Sequence, residues 1–156
     1  MKIDYDKEKV KMAVWGIGAY FPREKENIVE QFYQEEKIVL GYTKEQKPDY
    51  YDMFCSINPG DIVFIKSRFM PNVPLRVKAI GIVISNKPSE ENGIWGREGL
   101  RVKWIKNCIN NPIDIEKGKY NDGSTKALYQ ERDLEVIRKI AELLADGEKE
   151  KGQDAK

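Results

Sequence analysis

The chain has 156 residues, 40% hydrophobic and 34% charged, with a net charge of +1. That length suits one domain with a real core, and the near-neutral balance excludes an overall basic field that would attract a polyanion. Because histidine is absent, Ser-His-Asp and Cys-His catalysis, the histidine-ligated zinc deaminase site and most transition-metal sites are excluded.

What survives is carboxylate, lysine or tyrosine chemistry, or no chemistry. Cys55 and Cys108 are too few for a disulfide framework, and a reducing, cytoplasmic setting is expected. No apolar run approaches the ~20 residues of a membrane span. Met1–Asp6 lacks the apolar segment of a signal peptide.

Residues 1–10 are polar and are expected to be a flexible lead-in to a single domain over 11–146. Lys11 to Tyr20 reads as one strand. Gly16 and Gly18 inside it point to a bulge or to close approach by another group. The pair lacks the third glycine of a dinucleotide loop and any Gly-Lys-Ser/Thr, so no phosphate loop is predicted. After the Phe21-Pro22 turn, Asn27 and Glu30 resemble a capping box with Asn in place of Ser or Thr. Ile28, Val29, Phe32 and Tyr33 form the apolar stripe of the helix that follows. A short strand, Ile38 to Tyr42, precedes a second helix opened by Pro48. Tyr50, Met53, Phe54 and Ile57 share its inner face.

Asn58-Pro59-Gly60-Asp61 then reads as a tight turn, with Pro59 pre-setting φ and Gly60 accepting a positive φ. It feeds Ile62 to Ile65, an unbroken apolar run expected of a strand covered on both faces. Ala79 to Ile84 is close enough in sequence to pair with it. Between them, the loop from Ser67 to Pro74 carries Phe69 and Met70, which must pack or bind something. Residues 85–99 read as a polar linker containing Trp95. Leu100 to Trp104 alternates, with Leu100, Val102 and Trp104 on one face and Arg101 and Lys103 on the other. Ile109 to Ile115, interrupted by Pro112, reads as an edge strand. Asn121-Asp122-Gly123 is a turn, and Thr125 to Tyr129 a weak strand. Asp133 caps a last helix whose apolar face is Leu134, Ile137, Ala141 and Leu144, with Ile140 beside it. Asp146-Gly147 stops that helix, and 147–156 is a charged tail expected to be disordered. The predicted class is α+β, a partly closed β-barrel of about six strands with two or three peripheral helices.

The informative side chains are aromatic residues at strand ends and in loops, with cations near them in sequence. Trp15, Tyr20, Phe21, Tyr42, Trp95, Trp104 and Tyr129 belong to the first group. Arg23, Lys66, Arg68, Arg76, Lys78 and Arg97 belong to the second. Core packing and a solvated surface account for many of these. The sharper reading is a pocket for a flat ligand, since aromatic walls beside basic groups suit a nucleobase and its phosphates.

Four segments extend this reading: Trp15-Gly16-Ile17-Gly18-Ala19-Tyr20, Ile38-Val39-Leu40-Gly41-Tyr42, Pro59 to Ser67, and Lys78-Ala79-Ile80-Gly81-Ile82-Val83. In this order they resemble the EVE branch of PUA-like domains. The likeness is greatest to the recognition domains of McrB-type modification-dependent restriction systems, and more distant to YTH domains, which read methylated adenine in RNA. It covers residues 12–105. The resemblance implies a PUA-like, partly closed barrel that holds one flipped, modified base. By motif position Trp15, Tyr20, Tyr42 and Ser67 would contact the base. The phosphate backbone would fall to Arg23, Lys66, Arg68, Arg76 and Lys78. One departure is Ile38, where relatives often carry tryptophan.

The expected partner is DNA or RNA with a modified base, alongside an effector such as a nuclease or motor. No cofactor, metal or membrane is expected. Two other classes compete. A carboxylate-metal nuclease could use Asp114-Ile115-Glu116-Lys117, though not at the usual Glu-x-Lys spacing. A protein-interaction module could dock a partner on Phe69-Met70-Pro71.

Overall fold

A computed structural model of the chain describes residues 12–68, 73–116 and 124–154. The expected lead-in over 1–10, the Phe69-Met70-Pro71 loop, Lys117 and the Asn121-Asp122-Gly123 turn lie outside the described residues. The architecture is α+β, a curled, mixed half-barrel sheet with three helices. The strands are β1 (Val14–Ile17), β2 (Tyr20–Phe21), β3 (Glu26–Asn27), β4 (Lys37–Val39), β5 (Ile62–Ser67), β6 (Leu75–Val83), β7 (Ser89–Ile94), β8 (Arg97–Asn107), β9 (Ile113–Ile115) and β10 (Leu128–Gln130). The helices are α1 (Val29–Gln34), α2 (Pro48–Cys55) and α3 (Leu134–Asp154).

The six-strand path runs β10-β1-β5-β6-β8-β4, with β7 added to β8 and β9 to β6, while β2 and β3 form a separate small hairpin. β5 lies inside this path, parallel to β1 and antiparallel to β6. Its sequence explains the placement. Ile62, Val63, Phe64 and Ile65 are all buried, and they alternate between two cores. Val63 and Ile65 join Ile17, Phe32, Leu100 and Trp104, whereas Ile62 and Phe64 join Val77, Tyr129, Val136 and Ile140. An unbroken apolar run is what a strand needs when both faces are covered. Each such side chain contributes roughly 1.5–3 kcal/mol by leaving water.

The turn before β5 has its expected form. Gly60 takes φ +91°, and Asp61 N donates to Asn58 O at 3.0 Å, the type II geometry that Pro-Gly favours. Gly16 is a point of close approach. A Cβ there would fall on the Tyr129 ring and 2.9 Å from Phe64 Cζ. The β8 alternation also holds, with Leu100, Val102 and Trp104 buried and Arg101 and Lys103 exposed.

Five local expectations are corrected. Lys11 to Tyr20 is not one strand, because the chain breaks after Ile17 and Tyr20 starts a separate hairpin. The capping box does not form. Asn27 Oδ1 accepts from Val29 N at 3.2 Å, and Ile28 occupies the helix cap. The 85–99 linker is largely a hairpin, β7 and β8 turning at Trp95-Gly96. The buried face of α3 is Val136, Ile140 and Leu143, while Leu134 is 75% exposed.

Nor does Gly147 stop α3, which runs on to Asp154 in place of the expected disordered tail. Gly147 is where the helix crosses β8, since a Cβ there would lie 2.8 Å from Ile105 O. Lys106 Nζ–Glu150 Oε1 and Lys151 Nζ–Trp104 O, both 2.7 Å, fasten the following turn. The absence of a side chain lets helix and strand meet, and the packing and the two bonds that follow offset glycine's cost of roughly 1 kcal/mol within a helix. Among the described residues no helix is long and apolar enough to cross a membrane.

Candidate functional site

The half-barrel opens at the C-terminal ends of the parallel pair β1 and β5. A cleft of about 250 Å³ lies there. Each wall follows from a local feature of the chain. The break after β1 turns Gly18 and Ala19 along one side, where Gly18 N donates to Ala127 O at 2.9 Å. The β2–β3 hairpin then brings Tyr20, Pro22 and Asn27 to the rim. Tyr42 also lines the cleft and stacks on Tyr50, with centroids 5.7 Å apart and 18° between planes. Gly41 permits this approach, because a Cβ there would sit 3.3 Å from Tyr20 O.

The cations come from the end of β5, from inside β6 and from the segment before β10. Lys66, Arg68, Lys78 and Lys126 all line the cleft, and among the described residues no acidic side chain does. Lys66 is buried, donates to Lys126 O and lies 5.8 Å over the Tyr129 ring. Arg68 is buried too; it donates to Ser124 Oγ and, at 3.0 Å, to Val73 O. Lys78 is aimed by a bulge. Ile65 pairs with Ala79 and Lys66 with Val77, so Lys78 is the extra residue of β6. Bulges re-aim side chains in this way. Burial, and then the charge of Arg76, hold the Lys78 ammonium below the ordinary lysine value. Lys78 has no ion-pair partner among the described residues.

The structure thus brings together six of the nine residues expected at the site: Tyr20, Tyr42, Lys66, Ser67, Arg68 and Lys78. Three are elsewhere. Trp15 is a core residue, 5% exposed, whose Nε1 donates to Asp61 Oδ2 at 3.0 Å. It lies on β1 two residues before the open end, and its indole N–H is satisfied by the turn before β5. Arg76 sits opposite Asp114 in the β6–β9 pair and holds it at 3.0 Å. That contact also occupies the acid proposed for a nuclease, and pairing holds the Asp114 carboxyl below its usual range. Arg23 lies in the β2–β3 turn and does not line the cleft.

Arg97, another cation near the aromatics in sequence, is buried against Glu24 at 2.8 Å and lies 5.3 Å over the Phe21 ring. Ile38 is fully buried, so its departure from an aromatic concerns the core and not a cleft wall. Asn27, Thr125 and Lys126 line the cleft unforeseen. Asn27 carries a capping signal only, and Thr125 and Lys126 belong to a segment whose pattern indicates a weak strand. No protein-family model matches this chain, and no curated protein is significantly similar to it.

Proposed function

We propose that the chain is a non-catalytic nucleic-acid-binding module that takes one base, in its modified form a methylated one, into the Tyr20–Tyr42 cleft. This is the role implied by its resemblance to the EVE branch of PUA-like domains. The observation that carries the reading is an open cleft with tyrosines on its walls, four cations around it and no carboxylate among its described lining. Its volume of about 250 Å³ falls just below the ~300–1,000 Å³ of pockets for drug-sized ligands. That favours a single ring system over a dinucleotide.

The energies are compatible with extracting a base. Flipping costs a few kcal/mol, and each aromatic stack returns ~1–3 kcal/mol, so two tyrosines offset the cost. A buried methyl adds only ~0.8 kcal/mol, roughly fourfold in affinity. Sharp discrimination therefore has to come from hydrogen bonds to the base edge. Asn27, Ser67 and Thr125 are the uncharged polar residues placed to make them.

Fluorescence anisotropy with methylated and plain oligonucleotides at low salt tests the reading. Binding is expected to weaken steeply with salt, and Tyr42→Ala to cost about 5- to 160-fold, the worth of one stack. Binding that is absent, or indifferent to salt and to Tyr42, overturns it. Competition between matched RNA and DNA assigns the nucleic acid.

A further inference from the structure

The three tryptophans of the chain have different fates. Trp15 and Trp104 are buried, and their indole N–H groups donate to Asp61 Oδ2 at 3.0 Å and Phe32 O at 2.9 Å. Trp95 is 51% exposed. It also has φ +53°, followed by Gly96 at +79°, in the two-residue turn closed by the Ile94–Arg97 pair. Turns with two positive φ values favour Asn, Asp or Gly at the first position. A bulky residue there is strained. Trp95 therefore carries a backbone cost and leaves apolar surface in water, though neither the turn nor the core requires an indole.

Its neighbours give this placement a use. The Trp95 ring meets Phe21 edge-on with centroids 5.8 Å apart. Arg97 Nη1 holds Glu24 at 2.8 Å and donates to Trp95 O at 3.4 Å. The β2–β3 turn is thereby pinned against the β7–β8 turn. That β2–β3 turn carries Arg23 and Lys25, neither of which has an ion-pair partner among the described residues. The hairpin that supplies Tyr20 and Pro22 to the cleft thus also carries two cations on the turn held against the one that bears the exposed indole.

We propose that Trp95, Arg23 and Lys25 form a second nucleotide subsite. The indole stacks on an unpaired base that flanks the one in the cleft, and the two cations neutralise the adjoining phosphates. An exposed aromatic beside basic side chains is the usual platform for single strands. This rests on the cleft reading and extends it, for it makes the ligand a single-stranded segment longer than one nucleotide.

Intrinsic fluorescence tests this directly, since Trp95 is the one tryptophan open to solvent. A single-stranded octanucleotide is expected to protect the emission from acrylamide, and a mononucleotide is not. Trp95→Asn suits the positive φ and removes the ring. It should weaken octanucleotide binding by about 5- to 160-fold, leave the mononucleotide unaffected, and be largely rescued by Trp95→Phe. Octanucleotide binding that Tyr42→Ala weakens but Trp95→Asn does not overturns the subsite alone. So does an equal loss for mononucleotide and octanucleotide, which marks a structural effect on the cleft. If neither ligand binds the wild-type protein, the cleft reading and the subsite fall together.

Discussion

The two ends of the β1–β5 pair are built from the same strands and have opposite characters. At the start of both strands the space is filled. Asp61 is buried, and its carboxylate accepts from Asn58 N at 2.9 Å, Trp15 Nε1 at 3.0 Å and Ala13 N at 3.2 Å. One anion there gathers three donors from two segments, so its burial is compensated by hydrogen bonds. At the far end of the same strands lies a hollow lined by four cations and, among the described residues, no acid. Two of them, Lys78 and Lys126, have no ion-pair partner among the described residues, and a ligand carrying negative charge would supply one. A buried charge with its partners in place fastens the fold. Charge beside open space has, on the proposed function, a ligand as its further partner.

The filled end should give the largest effects, and they should be effects on stability. Asp61→Ala strands three donors. Each charge-assisted bond is worth about 1.5–3 kcal/mol, and the losses are not additive, so a total of about 3–5 kcal/mol is expected. Urea unfolding checks this through a lower midpoint at unchanged slope. A loss under about 1 kcal/mol would remove the contrast between the two ends. Next is Gly16→Ala, which forces a methyl onto the Tyr129 ring and toward Phe64. Such overpacking costs about 1–3 kcal/mol, measurable in the same titration. Oligonucleotide affinity of the folded fraction should stay at the wild-type level in both variants.

The sequence makes these two ends legible to different degrees. The filled end can be read because its signals are local. Pro59-Gly60 fixes the turn, and the unbroken Ile62–Ile65 run demands cover on both faces. The open end depends on where separate segments stop. Tyr20, Tyr42, Ser67 and Lys78 follow from motif order. Thr125 and Lys126 join them only because β10 pairs with β1 across more than a hundred residues of chain, which no short-range pattern encodes. Trp15 misleads because an indole at a strand end looks like a cleft wall until its N–H finds Asp61. Arg76 misleads because its partner Asp114 is fixed by the β6–β9 register. The α3 face is obscured by Gly147. Read as a stop, it hides the repeat Val136, Ile140, Leu143 and Gly147, which reveals the true inner stripe once the helix continues.

The open end should show the reverse behaviour, with binding changing and stability holding. Replacing both Lys78 and Lys126 with Met removes two cations that lie beside the hollow and have no ion-pair partner among the described residues. For a single-stranded ligand, each phosphate contact contributes about 0.7 to the logarithmic salt slope, so the double variant should flatten the slope by about 1.4. Its thermal midpoint should not fall. Anisotropy titrations across a salt series measure the slope. An unchanged slope would mean that these lysines do not face the ligand's phosphates.

The smallest effect should be a pH dependence carried by Lys78. Its pKa in the folded chain lies below the unfolded lysine value, through burial and then Arg76. The protonated form is thus disfavoured by folding. The penalty is fully present below the folded pKa and disappears as pH rises past the unfolded one. Lys78→Met should therefore be slightly more stable than wild type at neutral pH, with the gain shrinking in alkali. Binding should have the opposite consequence. A phosphate beside Lys78 favours the ammonium and raises its pKa, so affinity should fall as pH climbs through the lowered value, with proton uptake on binding. The comparison with Lys78→Met isolates the lysine's part in that fall. If wild type and Lys78→Met lose affinity in parallel, the bulged lysine plays no part in holding the anion, and the positive character of the open end must rest on Lys66, Arg68 and Lys126.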